Sequence, residues 1–140
     1  MSGKRVFVDT NILLYALDSD AGPKHEKAGR RITELWEGSS TPILSIQVLQ
    51  ELYVNLIRKK VSQPQAQSAV MDYLAWEVIP LDTGLFGLGL KAHREWKLSF
   101  WDGLIVAAAN QAQADWLLTE DMNHGQIYGK VKVVNPFKPL

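Results

Sequence analysis

Short β-branched and aromatic runs alternate with stretches of helical period along this chain of 140 residues. The runs RVFV at 5–8, PILS at 42–45, EVIPL at 77–81, WLL at 116–118 and KVKVV at 130–134 read as strands. Helical spacing fills the intervals: 12–17 (a short apolar helix or turn), 25–37, 46–60, 65–73, 84–96 and 101–113. In 46–60, steps of 100° place Ile46, Val48, Leu49, Leu52, Tyr53, Leu56 and Ile57 on one face, with Gln47, Glu51, Asn55 and Arg58 as a polar stripe opposite. Residues 104–109 are apolar throughout, so helix 101–113 must be buried on most sides. Gly84, Gly87 and Gly89 argue against the helix at 84–96 on propensity, though its period supports one. Parallel neighbours need crossover connections, and strand–helix alternation supplies them. The pattern therefore predicts one α/β domain over residues 1–140, built on a mainly parallel sheet.

That topology gives the acidic residues their meaning. All strands of a parallel sheet point one way, and sites form along the edge at their carboxyl ends. Asp9 ends the first strand there, and Asp121 follows the fourth. Asp102 opens the buried helix, and Glu51 rides on the helix that follows the second strand. Each acid alone has a plain structural reading. Asp9 and Asn11 suit a helix cap, Ser99 with Asp102 resembles a capping box, Glu51 suits a solvated face, and Asp121 suits a turn. Together, acids on one edge repel unless protons or a cation neutralise them. All-oxygen ligands suit a hard divalent ion such as Mg²⁺ or Mn²⁺.

Composition narrows the chemistry. The chain has no cysteine, which excludes a disulfide scaffold, a zinc–thiolate centre and a thiol nucleophile. No apolar run approaches the length of a membrane span, and MSGKRVFVDTN enters the first strand without a leader-like segment. A cytoplasmic protein with no membrane association is expected. Fifteen basic residues balance fifteen acidic ones. If four of those acids gather in one cleft, fifteen bases face eleven acids elsewhere, which mildly favours a phosphate backbone.

The segments VDTNILLYALD, QVLQELYVNL, SFWDGLIVAAA and LLTEDMNHGQ resemble, in order, the four acidic motifs of the PIN-domain ribonuclease family. The likeness spans nearly the whole chain and is greatest to the VapC toxins of bacterial toxin–antitoxin pairs. It implies a five-stranded, mainly parallel sheet with helices on both faces. It also implies Mg²⁺- or Mn²⁺-dependent cleavage of RNA. By the same resemblance the catalytic acids are Asp9, Glu51, Asp102 and Asp121. Asp9 and Asp102 are the main metal ligands, Glu51 and Asp121 are further ligands or stand just behind them, and Asn11 and Thr119 give polar support. Glu120 occupies a variable position. A homodimer and a VapB-like antitoxin docking near the acids are implied partners.

Other residues carry weaker signals. Arg58, Lys59 and Lys60 suit the carboxyl end of a helix dipole, or contacts to RNA phosphates. His124 reads as a loop residue near Asp121, and His25 and His93 as structural or solvated. Tryptophans are usually core residues, but Trp101 adjoins Asp102 and is the one to test as a base-stacking surface. A phosphohydrolase using Asp9 as nucleophile would want a second acid where Asn11 stands. The remaining alternatives are a PIN-type RNA-processing nuclease without an antitoxin and a non-catalytic α/β binding module.

Overall fold

The computed structural model describes residues 2–139, so positions 1 and 140 of the expected domain lie outside the described residues. Its strands are β1 (Arg5–Val8), β2 (Thr41–Ser45), β3 (Glu77–Ile79), β4 (Trp116–Leu118), β5 (Ile127–Tyr128) and β6 (Val131–Val134). They form one sheet in the order β3-β2-β1-β4-β6-β5. All pairings are parallel except β5 with β6, where Tyr128 faces Val131. The sheet therefore has six strands where five were expected. The extra strand is two residues long and turns back through Gly129 at φ +65°, too short to leave a periodic signal.

The helices are α1 (Thr10–Leu17), α2 (Pro23–Trp36), α3 (Ile46–Arg58), α4 (Gln63–Asp72), α5 (Thr83–Trp96) and α6 (Phe100–Gln111). Helices α1–α4 connect β1 to β2 and β2 to β3 and pack on one another; α5 and α6 pack together and carry the chain back to β4. Right-handed crossovers in opposite directions put these two sets on opposite faces of the sheet. Among the described residues no helix is long and apolar enough to cross a membrane.

The core lies around the central pair β1 and β4. Val6, Phe7, Val8, Leu117 and Leu118 are fully buried, as strands covered on both faces require. Val48, Leu49, Leu52 and Leu56 turn the expected face of α3 inward. Ile57 stays 36% exposed, whereas Gln47 from the polar stripe is buried.

The glycines of α5 have a positive use. A Cβ on Gly89 would stand 2.4 Å from Leu104 Cδ2, and one on Gly103 would stand 2.9 Å from both the Gly89 carbonyl oxygen and the His93 nitrogen. Gly89 and Gly103 thus let α5 and α6 meet backbone to backbone. This close crossing overrides their poor helix propensity and seats the first turn of α6.

Candidate active site

Asp9 and Thr119 sit side by side one residue beyond β1 and β4. Ladder hydrogen bonds continue past the strands: Asp9 N donates to Leu118 O at 3.0 Å, and Thr119 N to Val134 O at 3.2 Å. Asp9 is 6% exposed and caps α1, its Oδ1 accepting from Thr10 N at 2.8 Å. Its Oδ2 accepts from Thr119 Oγ1 at 2.9 Å and from Asn11 Nδ2 at 3.4 Å. Burial pushes the Asp9 carboxyl up from an ordinary 3.8 to about 7; the hydrogen bonds from Thr119 and Thr10 oppose the rise, while the charges of Glu51 and Asp121 add to it. The capping and site readings of Asp9 are thus compatible, because one oxygen caps α1 while the other bonds Thr119 and Asn11, which also bonds Asp121.

Asn11 ties the two loops together. Its Nδ2 donates to Asp121 Oδ2 at 2.8 Å and lies 3.3 Å from Thr119 Oγ1, and its Oδ1 accepts from Glu120 N at 3.4 Å. Thr119 Oγ1 in turn accepts from Asp121 N at 3.1 Å, closing the turn.

Glu51 approaches from α3, half-buried rather than solvated. Its Oε2 accepts from Thr10 Oγ1 at 3.5 Å and its Oε1 from Gln47 Nε2 at 2.8 Å. Gln47 also reaches the Trp101 carbonyl at 3.4 Å, linking α3 to the start of α6. On that first turn Ser99 Oγ accepts from Asp102 N at 3.0 Å, as the capping-box pattern predicts. Burial raises the Asp102 carboxyl above its usual range, opposed by Ser99 and reinforced by the charge of Asp121. Asp9 feels Glu51 and Asp121, and Asp102 feels Asp121, so the fold brings all four acids into one electrostatic neighbourhood.

A second cluster holds Glu120. Tyr15 OH donates to its Oε1, and Lys24 Nζ donates to its Oε2 at 2.7 Å while lying over the Tyr15 and Phe137 rings. Burial pushes the Glu120 carboxyl up, but the bonds from Lys24 and Tyr15 outweigh it and hold Glu120 below its ordinary range. Sequence reasoning missed Tyr15, Lys24, Thr10 and Gln47. Thr10 and Tyr15 lie inside VDTNILLY and could have been found there, whereas Lys24 gives no local sign of its partner.

The basic run divides. Arg58 lines an open groove of about 590 Å³ with Glu51 and Trp101. Lys59 instead pairs with Asp18 at 3.2 Å, and Lys60 takes a left-handed conformation at φ 70° just past α3. His124 is fixed rather than free in its loop, its Nδ1 accepting from Asn135 N at 2.9 Å.

The donors fit a hard divalent cation in kind, being carboxylate oxygens with Asp9 buried and short of positive charge. Among the described residues, however, no group of three or more acids or histidines is arranged as the side chains stand to hold a metal ion. Asp9 Oδ2 is engaged by Thr119, and Asp121 Oδ2 by Asn11. Closing oxygens around an ion takes rotation of these side chains.

Four chain segments thus meet as an acidic edge on a parallel α/β sheet, flanking the switch point between β1 and β4. Residues 6–130 match the PIN domain family model, and the chain belongs to the PIN domain family. No curated protein sequence matches it. Among solved structures it is similar to a toxin–antitoxin complex from Klebsiella pneumoniae, with a TM-score of 0.69, 22% identity, and coverage of 96% of this chain and 99% of that one. VapBC2 from Rickettsia felis, bound to a DNA fragment from its promoter, matches with a TM-score of 0.65 and 22% identity over 91% and 96%. VapC20 from Mycobacterium tuberculosis, described as a Sarcin-Ricin loop cleaving toxin, matches with a TM-score of 0.64 and 22% identity over 83% and 89%. At these identities the shared property is the fold.

Proposed function

We propose that this chain, as a single PIN domain over residues 1–140, is a Mg²⁺- or Mn²⁺-dependent endoribonuclease. In this reading it is the toxin of a VapBC-type pair, a cytoplasmic homodimer restrained by a VapB-like antitoxin. The observation that carries the reading is that Asp9, Glu51, Asp102 and Asp121 stand on segments joined by the Thr10, Asn11 and Gln47 hydrogen bonds, with Asp9 nearly buried. The toxin–antitoxin complexes that share its fold support the partner. The cleaving activity named for VapC20 supports the reaction class.

The reaction is phosphodiester hydrolysis, in which water adds to phosphorus and a ribose oxygen leaves opposite to it. Mg²⁺ or Mn²⁺, when bound, supplies an acidified water and neutralises charge on the phosphate oxygens. Asp9 and Asp102 are the principal oxygen donors, with Glu51 and Asp121 completing the set or orienting water. Asn11 aims the Asp121 carboxylate and Thr119 that of Asp9 through their hydrogen bonds. Of the basic run Arg58, Lys59 and Lys60, Arg58 lines the groove beside Glu51 and supplies positive charge for the RNA backbone, while Lys59 is engaged by Asp18.

Incubating purified protein with total cellular RNA, with and without Mg²⁺, and mapping the new ends tests the reading. Discrete, chelator-sensitive cleavage that is lost in Asp9→Asn and Asp102→Asn is expected. Cleavage by both variants at the parent rate, indifferent to chelator, would overturn it.

A further inference from the structure

The groove beside Glu51 holds groups that the acid chemistry does not use. It runs along α3 to the first turn of α6, with Gln47, Glu51, Val54, Arg58 and Trp101 in its wall and Gln50 at its rim. Trp101 is 65% exposed, the highest exposure among the large hydrophobic side chains of the described residues, and its ring is braced edge-on by Phe100 at 5.1 Å. Gln50 and Arg58 are exposed and, among the described residues, have no hydrogen-bond or ion-pair partner. An open indole, a free amide and a free guanidinium along one groove match the three parts of an unpaired nucleotide. Aromatic faces stack any base, an amide both donates to and accepts from a base edge, and a guanidinium holds phosphate.

We propose that this groove is a nucleotide-reading subsite, taking one unpaired nucleobase on Trp101 and a neighbouring phosphate on Arg58. The proposal rests on the nuclease reading and extends it to where base preference originates. Arg58 follows Glu51 by two helical turns, about 10 Å along the axis. Trp101 stands beside Gln47, one turn before Glu51, and Arg58 two turns after it, so a single strand lying in the groove can meet the indole, the acid and the guanidinium together. The Gln47 bond to the Trp101 carbonyl fixes the indole's backbone relative to Glu51, so the stacking surface and the acid keep a set spacing. Among the described residues lining the groove the one acid, Glu51, stands two helical turns from Arg58, which leaves the guanidinium to favour a phosphate-bearing strand over a neutral apolar peptide. Only an unpaired base can present its face to Trp101, so the subsite selects loops and single strands over duplex.

The test is fluorescence anisotropy with labelled single-stranded RNA pentamers of A, C, G or U, in chelator at low salt so that nothing is cleaved. The parent should distinguish the four. Trp101→Ala should weaken the preferred pentamer roughly 5- to 100-fold and, by removing the platform that holds a base edge to the Gln50 amide, flatten the preference, while Trp101→Phe keeps most of it. Arg58→Gln should weaken all four alike and lower the slope of log affinity against log salt by about 0.7. Trp36→Ala, an exposed tryptophan outside the groove, should change nothing. Parent-like binding by both Trp101→Ala and Arg58→Gln would overturn the proposal and leave the groove to a polypeptide partner. Cleavage of total RNA by the parent with Mg²⁺ separates the two readings. Metal-dependent cleavage with unmoved Trp101→Ala affinity sinks the subsite alone. Base-selective binding that depends on Trp101, with no cleavage in any metal, sinks the nuclease reading alone.

Discussion

Asn11 Nδ2 stands 2.8 Å from Asp121 Oδ2, bridging the start of α1 to the turn after β4 across 110 residues of sequence. This amide bonds or approaches Asp9, Thr119 and Asp121 together. Asn11→Ala should lower RNA cleavage about ten- to a hundredfold through misplacement of Asp121. It should cost only about 1 kcal/mol of stability, because the bond lies near the surface. Asn11→Asp should do worse, by adding a carboxylate where charge is already in excess. Single-turnover rates alongside urea melts check both outcomes.

Asp9 makes the metal-free protein sensitive to pH. Its folded-state value, about 7, lies above the ordinary 3.8, so the folded protein holds this proton more tightly than the unfolded chain does. The associated stability is fully present below pH 4, declines between about 4 and 7, and is gone above 7. In chelator, Asp9→Asn should match the parent near pH 4 and exceed it near pH 8, by on the order of 1–3 kcal/mol. Mn²⁺ should narrow the gap at pH 8 by stabilising the parent alone. Thermal melts across pH, with and without Mn²⁺, read this directly; a constant gap at every pH would contradict it.

Three glycines of α5 and α6 should respond with different signs. Gly87 has open space where a Cβ would go, so Gly87→Ala should stabilise by up to ~1 kcal/mol. At Gly89 the new methyl meets the Leu104 side chain, and at Gly103 it meets backbone atoms that cannot rotate aside. Gly103→Ala should therefore cost the more, about 2–3 kcal/mol. It should also reduce cleavage, since Asp102 is its chain neighbour. Denaturant midpoints for the three variants, ranked, are the measurement.

Lys24 and Tyr15 hold Glu120 from outside the acidic edge. Lys24→Met should leave the fold intact and reduce cleavage severalfold, because the Glu120 backbone nitrogen bonds Asn11 and carries the disturbance inward. Adding Glu120→Gln to Lys24→Met should restore part of the loss, since it removes the uncompensated charge. A double-mutant cycle on cleavage rate decides this.

The α/β architecture was legible because buried strands and amphipathic helices print different periods. The nearness of Asp9 and Asp121 was legible because a parallel sheet sends its strand ends to one edge. What stayed hidden involved distance or brevity. The two-residue β5 is below any periodic signal. Glycines that weaken a helix on propensity proved to be required by a neighbour that local sequence does not show. The burial of Gln47 and the pairing of Lys24 with Glu120 follow from contacts between remote segments. The orientation of Asp9 was half visible: the cap was in the residue type, but the second oxygen's bond to Thr119 needed β1 and β4 to be adjacent.

The backbone contact at Gly103 works as a locating pin for the residue before it. Side chains in a core can be exchanged for others of similar bulk, and their neighbours shift to suit. Main-chain atoms held against main-chain atoms have no such play. The depth at which Asp102 enters the cleft is therefore set by two peptide planes rather than by the packing of Ile105, Val106 and the alanines further along α6. Those apolar positions are free to drift in sequence without detuning the acid.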